Sequence, residues 1–147
     1  MKSEAIFFAP FMFSGILSEE TLQKVAFPNN NMLEQTLNAQ LQLDQYGTGV
    51  HSIACVFIAL PPPDNGIHDE TLIYRRREKE VFAQVKIPYD LVASYDADQV
   101  LQLMATTYLQ ALERLDELRI PNFDSVRLAQ DVQRLFETQG WLARETA

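Results

Sequence analysis

The chain has 147 residues, 47% of them hydrophobic, one cysteine and a formal charge of −8 at pH 7. Such a chain is most simply one domain, residues 1–147, able to bury a core, and its composition argues against intrinsic disorder. The acidity disfavours nucleic acid as a partner, because phosphate affinity comes largely from Lys and Arg releasing counterions, while the lone Cys55 excludes an internal disulfide and fits a reducing, cytoplasmic setting.

Ala5–Phe13 is apolar on both alternating faces and reads as a buried strand, with Pro10 restricting it to an edge or a bulge. Lys2 before this run gives it some likeness to a leader, but Pro10 breaks it and no small-residue cleavage site follows. No apolar run approaches the ~20 residues of a membrane-spanning helix. Ser18, Glu19 and Glu20 have the character of a helix start, and Pro28 with Asn29–Asn31 then interrupts. Leu33, Leu37 and Leu41 recur every four residues, which predicts a helix over about 31–45, capped by Asn30 or Asn31 and stopped by Gly47.

Val50–Leu60 is the strongest strand, with Ile53, Cys55 and Phe57 on one face and Ala54, Val56 and Ile58 on the other. Apolar character on both faces places it centrally in a sheet. Pro61–Gly66 reads as an extended loop and turn. Thr71–Arg77 and Val81–Pro88 form an expected antiparallel pair, with Val81, Ala83, Val85 and Ile87 inward and Phe82, Gln84 and Lys86 outward. Glu78-Lys79-Glu80 lacks the Gly or Asn of a tight turn, so the register stays open. Val100, Leu101, Met104, Tyr108, Ala111, Leu112, Leu115 and Leu118 predict a helix over about 96–119. Asn122 or Asp124 can cap a last helix over about 124–138, carrying Val126, Ala129, Val132, Leu135 and Phe136 and ended by Gly140, with Trp141 and Leu142 folding back. The order predicts an α+β fold: a mainly antiparallel sheet of about four strands with helices packed on it, two of them C-terminal.

Catalytic patterns are missing. His51 and His68 lack the spacing of HExxH or paired-histidine zinc motifs, even with Asp69 and Glu70 beside His68. Cys55 sits in an apolar strand, where burial makes a thiol inert. Ser14-Gly15 is not a nucleophile elbow, and Gly47-Thr48-Gly49 is better explained as a helix-to-strand connection than as a phosphate loop. Asp96 and Asp98 stand where a helix begins, a position that favours acids for capping. The expectation is no catalytic residue, no metal and no cofactor.

The charges are sorted along the chain. Residues 1–69, 70–89 and 90–147 carry −5, +2 and −5. The basic segment contains Arg75-Arg76-Arg77-Glu78-Lys79, which could hold phosphate or an acidic partner. A hairpin whose charges guard a sheet edge explains it better. Alternation would put Arg75 and Arg77 on one face and Arg76 on the other. Glu113, Asp116 and Glu117 read as a solvated helix face.

With the elements in order, residues 50–138 resemble the small cytosolic immunity proteins of bacterial polymorphic-toxin and contact-dependent inhibition systems. The resemblance rests on the strand His51–Leu60, the hairpin Tyr74–Glu80, Ile87-Pro88-Tyr89-Asp90, the Tyr108–Leu112 helix, and Asn122-Phe123-Asp124 opening a helix with Gln130-Asp131-Val132. It implies a non-enzymatic protein that binds a cognate toxin domain, often a nuclease, and blocks its active site. No binding motif carries over residue by residue, so candidate contacts come from acids in predicted loops and helix ends: Asp64, Asp69, Asp96, Asp98, Asp116 and Glu117. These would meet a basic toxin surface. Two other readings stand beside it: an acidic chaperone or adaptor for a secreted effector, and an enzyme with a site assembled from scattered Asp, His and Tyr.

Overall fold

The computed structural model describes residues 5–8, 12–13, 29, 31–60, 70–88 and 94–142. The expectations for Ser14-Gly15, Ser18–Glu20, Asn30, Pro61–Gly66 and His68-Asp69 fall outside these residues. In chain order the elements are β1 (Ile6–Phe8), β2 (Met12–Phe13), α1 (Asn31–Gln40), a 3-10 turn (Leu43–Tyr46), β3 (Ser52–Leu60), β4 (Glu70–Arg75), β5 (Glu80–Pro88), α2 (Ala97–Glu113), a second 3-10 turn (Leu115–Leu118) and α3 (Ser125–Gln139).

The fold is α+β, but the sheet is mixed where the sequence predicted a mainly antiparallel one. Its order is β1-β3-β5-β4, with β2 also on β3. β3 runs parallel to β1, β2 and β5, and among the described strands only β4 and β5 pair antiparallel. The physical reason lies in the connections. Helix α1 intervenes between β2 and β3, the kind of crossover that parallel neighbours require. β3 and β5 are separated in sequence by β4, which takes the outer place and leaves β5 to pair with β3. Strand β3 is central, as its two apolar faces predicted. Between Phe8↔Cys55 and Met12↔Ile58 the edge chain advances four positions while β3 advances three.

One core unites the sheet with the three described helices. Ile53, Cys55 and Phe57 of β3 and Val81, Ala83 and Val85 of β5 meet Leu33 and Leu37 of α1, Val100, Met104, Tyr108 and Leu112 of α2, and Leu128, Val132 and Phe136 of α3. The helices thus cover one face. Each large side chain so buried contributes about 1.5–3 kcal/mol. On the opposite face Ala54 and Val56 are buried outside that core, Phe82 is half-buried and Ile73 is exposed.

Local chemistry sets the helix ends. Asp96 caps α2 through a reciprocal box: its carboxylate accepts from the Gln99 N–H at 2.8 Å, and the Gln99 side chain accepts from the Asp96 N–H at 3.0 Å. The expected helix over 96–119 stops earlier, at Glu113, and continues as the 3-10 turn Leu115–Leu118. Three-residue spacing stacks Leu115 over Leu118 in that tighter winding, so the apolar stripe persists while the helix type changes. The predicted helix over 31–45 likewise ends at Gln40, and extended Gln42 separates it from Leu43–Tyr46. In α3 the Asp124 carboxylate accepts from the Arg127 N–H at 3.1 Å, and Gly140 closes the helix in the left-handed region at φ 74°. Trp141 then folds back on Phe136, their ring centroids 5.7 Å apart. Val126, predicted inward, faces solvent, and Ser125 is buried instead.

Strand β4 ends at Arg75, two residues before the predicted boundary, so Arg76 and Arg77 belong to a four-residue turn rather than to opposite faces of a strand. Lys79 holds φ 50°, a conformation that costs a non-glycine residue. Its carbonyl accepts the His51 N–H at 2.7 Å, which ties the turn to the start of β3.

Leu112→Ala should lower stability by about 2–5 kcal/mol, whereas Glu117→Ala should change it by about 0.5 kcal/mol or less. Chemical denaturation of both variants checks this, and equal losses would mean α2 is facing the wrong way. Cys55, fully buried in β3, should resist a thiol reagent until the chain unfolds. Rapid stoichiometric labelling of the native protein would contradict its place in the core.

Candidate interaction surface

The nucleophile-bearing side chains of the core are shielded. Burial pushes the Cys55 thiol well above its ordinary range and does the same to the Tyr108 hydroxyl, where electrostatic coupling to Cys55 adds to it. The Tyr46 hydroxyl is raised too, first by burial and then by the carboxylate of Asp131, to which it donates at 2.7 Å. None of the three offers a proton or a nucleophile near neutral pH. Among the described residues no group of three or more His, Cys, Asp or Glu could hold a metal ion, and no helix is long and apolar enough to cross a membrane.

The acids picked out from the sequence divide into two places. Asp96 is the α2 cap, and Asp98 is exposed in the first turn of that helix. Asp116 and Glu117 are exposed on the 3-10 turn after its far end, where Glu117 meets Arg114 at 3.3 Å. Residues 99–113 of α2 lie between the two groups, about 22 Å of helix. They do not form one patch. Asp64 and Asp69 lie outside the described residues. Of the basic run, Arg75 lies 5.7 Å from the Phe82 ring centre and 3.5 Å from Glu80, while Arg76 and Arg77 are exposed.

A cleft that no sequence motif indicated lies elsewhere. It has a volume of about 440 Å³ and sits between the end of α1, the turn Leu43–Tyr46 and the approach to β3. Ala5, Leu41, Leu43 and Val50 supply apolar lining, while Asn38, Gln42, Asp44, Thr48 and His51 supply polar lining. Each wall is tied down. The Asn38 side chain accepts from the N–H groups of Ala5 and Ile6 at 3.0 and 2.9 Å and donates to the carbonyls of Ile6 and Glu34, so it fastens the edge strand to α1. The Tyr46 ring lies under the Arg127 guanidinium at 4.8 Å, and Arg127 also donates to the Gln45 carbonyl at 2.8 Å. Arg134 holds the Asp131 carboxylate at 2.6 Å from the other side.

The turn itself is pressed against the connector between α2 and α3. The Gly49 N–H donates to the Asn122 carbonyl at 3.0 Å and the Asp124 N–H to the Tyr46 carbonyl at 2.7 Å, with Gly47 bridging Phe123. A Cβ on Gly47 would come within 1.9 Å of the Asn122 carbonyl oxygen, and one on Gly49 within 1.9 Å of that of Pro121. Gly47-Thr48-Gly49 is thus a place where two backbones touch, as well as the helix-to-strand connection the sequence indicated. The pair of glycines was the available sign of this feature. Nothing local in the sequence marked Asp44.

A family model described as Immunity protein 44 matches residues 10–138, all but the first nine and last nine residues of the chain. No curated protein and no solved structure matches it.

Gly49→Ala should cost about 1–3 kcal/mol through overpacking against Pro121. Gly140→Ala, whose added Cβ meets nothing within 4 Å, should cost about 1–2 kcal/mol, from the left-handed backbone alone. Combining Gly49→Ala with a shift in the amide resonances of Asn122 and Phe123 distinguishes the two causes. A neutral Gly49→Ala would remove the backbone contact from this account.

Proposed function

The chain belongs to the immunity protein 44 family, and from that premise we propose that it binds a cognate bacterial toxin domain one to one and neutralises it by covering its active site. Family membership carries this reading. The toxin is proposed to be a basic nuclease met in the bacterial cytoplasm, as in contact-dependent inhibition. A surface built to hold phosphates attracts carboxylates, and the chain offers a charge of −8. Asp98, Asp116 and Glu117 are exposed and able to meet such a surface. Asp96, although engaged as a cap, is exposed as well. With Asp64 and Asp69 these make three pairs of candidate contacts. The chain acts by occupancy, without turnover, cofactor or metal.

Because α2 separates two of the pairs, a toxin domain of ordinary size reaches both only by lying along the helix, so one pair is expected to dominate. Charges at the rim of an interface act mainly on encounter, and the anchors at its centre set residence time.

The product of the adjacent upstream gene is the test partner. Its association rate should fall as salt rises, and neutralising the dominant pair (Asp96→Asn with Asp98→Asn, Asp116→Asn with Glu117→Gln, or Asp64→Asn with Asp69→Asn) should slow association about three- to tenfold. Asn retains the capping ability of Asp at position 96, so that variant separates charge from helix stability. A rate indifferent to salt and to all three pairs would remove the acidic-surface mechanism. A partner that binds yet keeps its full toxicity would favour the adaptor reading.

A further inference from the structure

The cleft beside Asp44 has the chemistry of a socket. Its lining combines an apolar group (Ala5, Leu41, Leu43, Val50) with amide and hydroxyl groups, and Asp44 is the only carboxylate among the described lining residues. Asp44 is exposed, and no ion pair joins it to another described residue. Arg127, which reaches the same turn, is occupied by the Tyr46 ring and the Gln45 carbonyl. We propose that this cleft seats an arginine or lysine side chain of the toxin, its stem against Leu41, Leu43 and Val50 and its cationic head on Asp44.

Three observations bear on that occupant. The first is charge complementarity: Asp44 is the one carboxylate among the described lining residues, and it favours a single cation. The second is amphipathic lining, which suits a long side chain with an apolar stem and a charged tip better than a small hydrated ion. The third is rigidity. The glycine turn is fixed to Asn122 by hydrogen bonding, Asn38 is fixed to the edge strand, and Tyr46 is fixed to Asp131. A socket that is already formed loses little freedom on binding, which is the condition for one residue to dominate an interface. The volume, about 440 Å³, lies within the ~300–1,000 Å³ of small-ligand sites and leaves room for water beside the guest. The inference rests on the immunity reading, and it adds a central anchor to the peripheral acids proposed above.

Two probes test it separately. N-acetyl-arginine methylamide, titrated into the chain, should shift the amide resonances of Asp44, Thr48 and His51 more than the uncharged citrulline counterpart does, and Asp44→Asn should abolish the difference. With the toxin domain from the adjacent upstream gene, Asp44→Asn and the blocking variant Thr48→Trp should each speed dissociation about tenfold or more. Glu137→Gln, the same charge change near the far end of α3, should leave dissociation as it was. Unchanged melting temperatures confirm that the variants are folded. Equal shifts from the two small probes, or wild-type dissociation from both cleft variants, would overturn the proposal. A wild-type chain that fails to capture the toxin at all would overturn the immunity reading, and the arginine probe would then decide alone whether the cleft is a cation site.

Discussion

Much of this structure depends on one close approach of backbone to backbone. Residues 46–49 and 121–124 are far apart in sequence, yet they share two hydrogen bonds and a bridge, at a separation only glycine allows. This contact joins the chain leading into β3 to the segment that opens α3. It fixes the Asp124 cap, and it brings Tyr46 to Asp131 and Arg127. It also forms a wall of the cleft. A side chain at either glycine would force the connector outward and disturb the cap, the clamp and the cleft together.

The second constraint is the sheet. β3 and β5 lie at its centre, paired in parallel over nine residues from Ser52↔Glu80 to Leu60↔Pro88. Their inward residues form the floor on which the three described helices pack. Alternation made those residues legible: Val81, Ala83 and Val85 point inward as predicted, and β3 is central because Ala54 and Val56 are apolar too. Strand direction was not legible in the same way. The side-chain period is identical in parallel and antiparallel strands, so Ile53 or Val85 says nothing about its neighbour's sense. The hairpin between β4 and β5 was visible, and its antiparallel geometry was extended wrongly to the other pairs.

The helices show a similar division. The stripe from Val100 to Leu115 was readable and is buried, but its change to a 3-10 turn at Leu115 was not, because spacings of three and four alternate in any amphipathic helix. Val126 was misplaced inward because it is apolar, although Ser125 and Leu128 occupy the buried side. At the surface, residue type placed Asp96 and Asp98 together at a helix start and read Asp116 and Glu117 as solvent-facing; the structure makes Asp96 the cap and leaves Asp98 exposed. Sequence order could not show that α2 keeps these acids apart. Nor could it show that Asp44 lines a cleft, since that depends on contacts such as Asn38 with Ala5 and Gly49 with Asn122, which join distant parts of the chain.

Family membership, an α+β body and exposed carboxylates at both ends of α2 support one account: a protein that neutralises a toxin by occupying it. Occupancy has a stoichiometric signature that catalysis lacks. Increasing amounts of the chain, titrated into a fixed amount of the toxin domain encoded upstream, should lower toxin activity in a straight line to zero at one equivalent. Loss of all activity at a small fraction of an equivalent would require turnover, and full activity at large excess would mean no neutralisation. Either result would contradict the account.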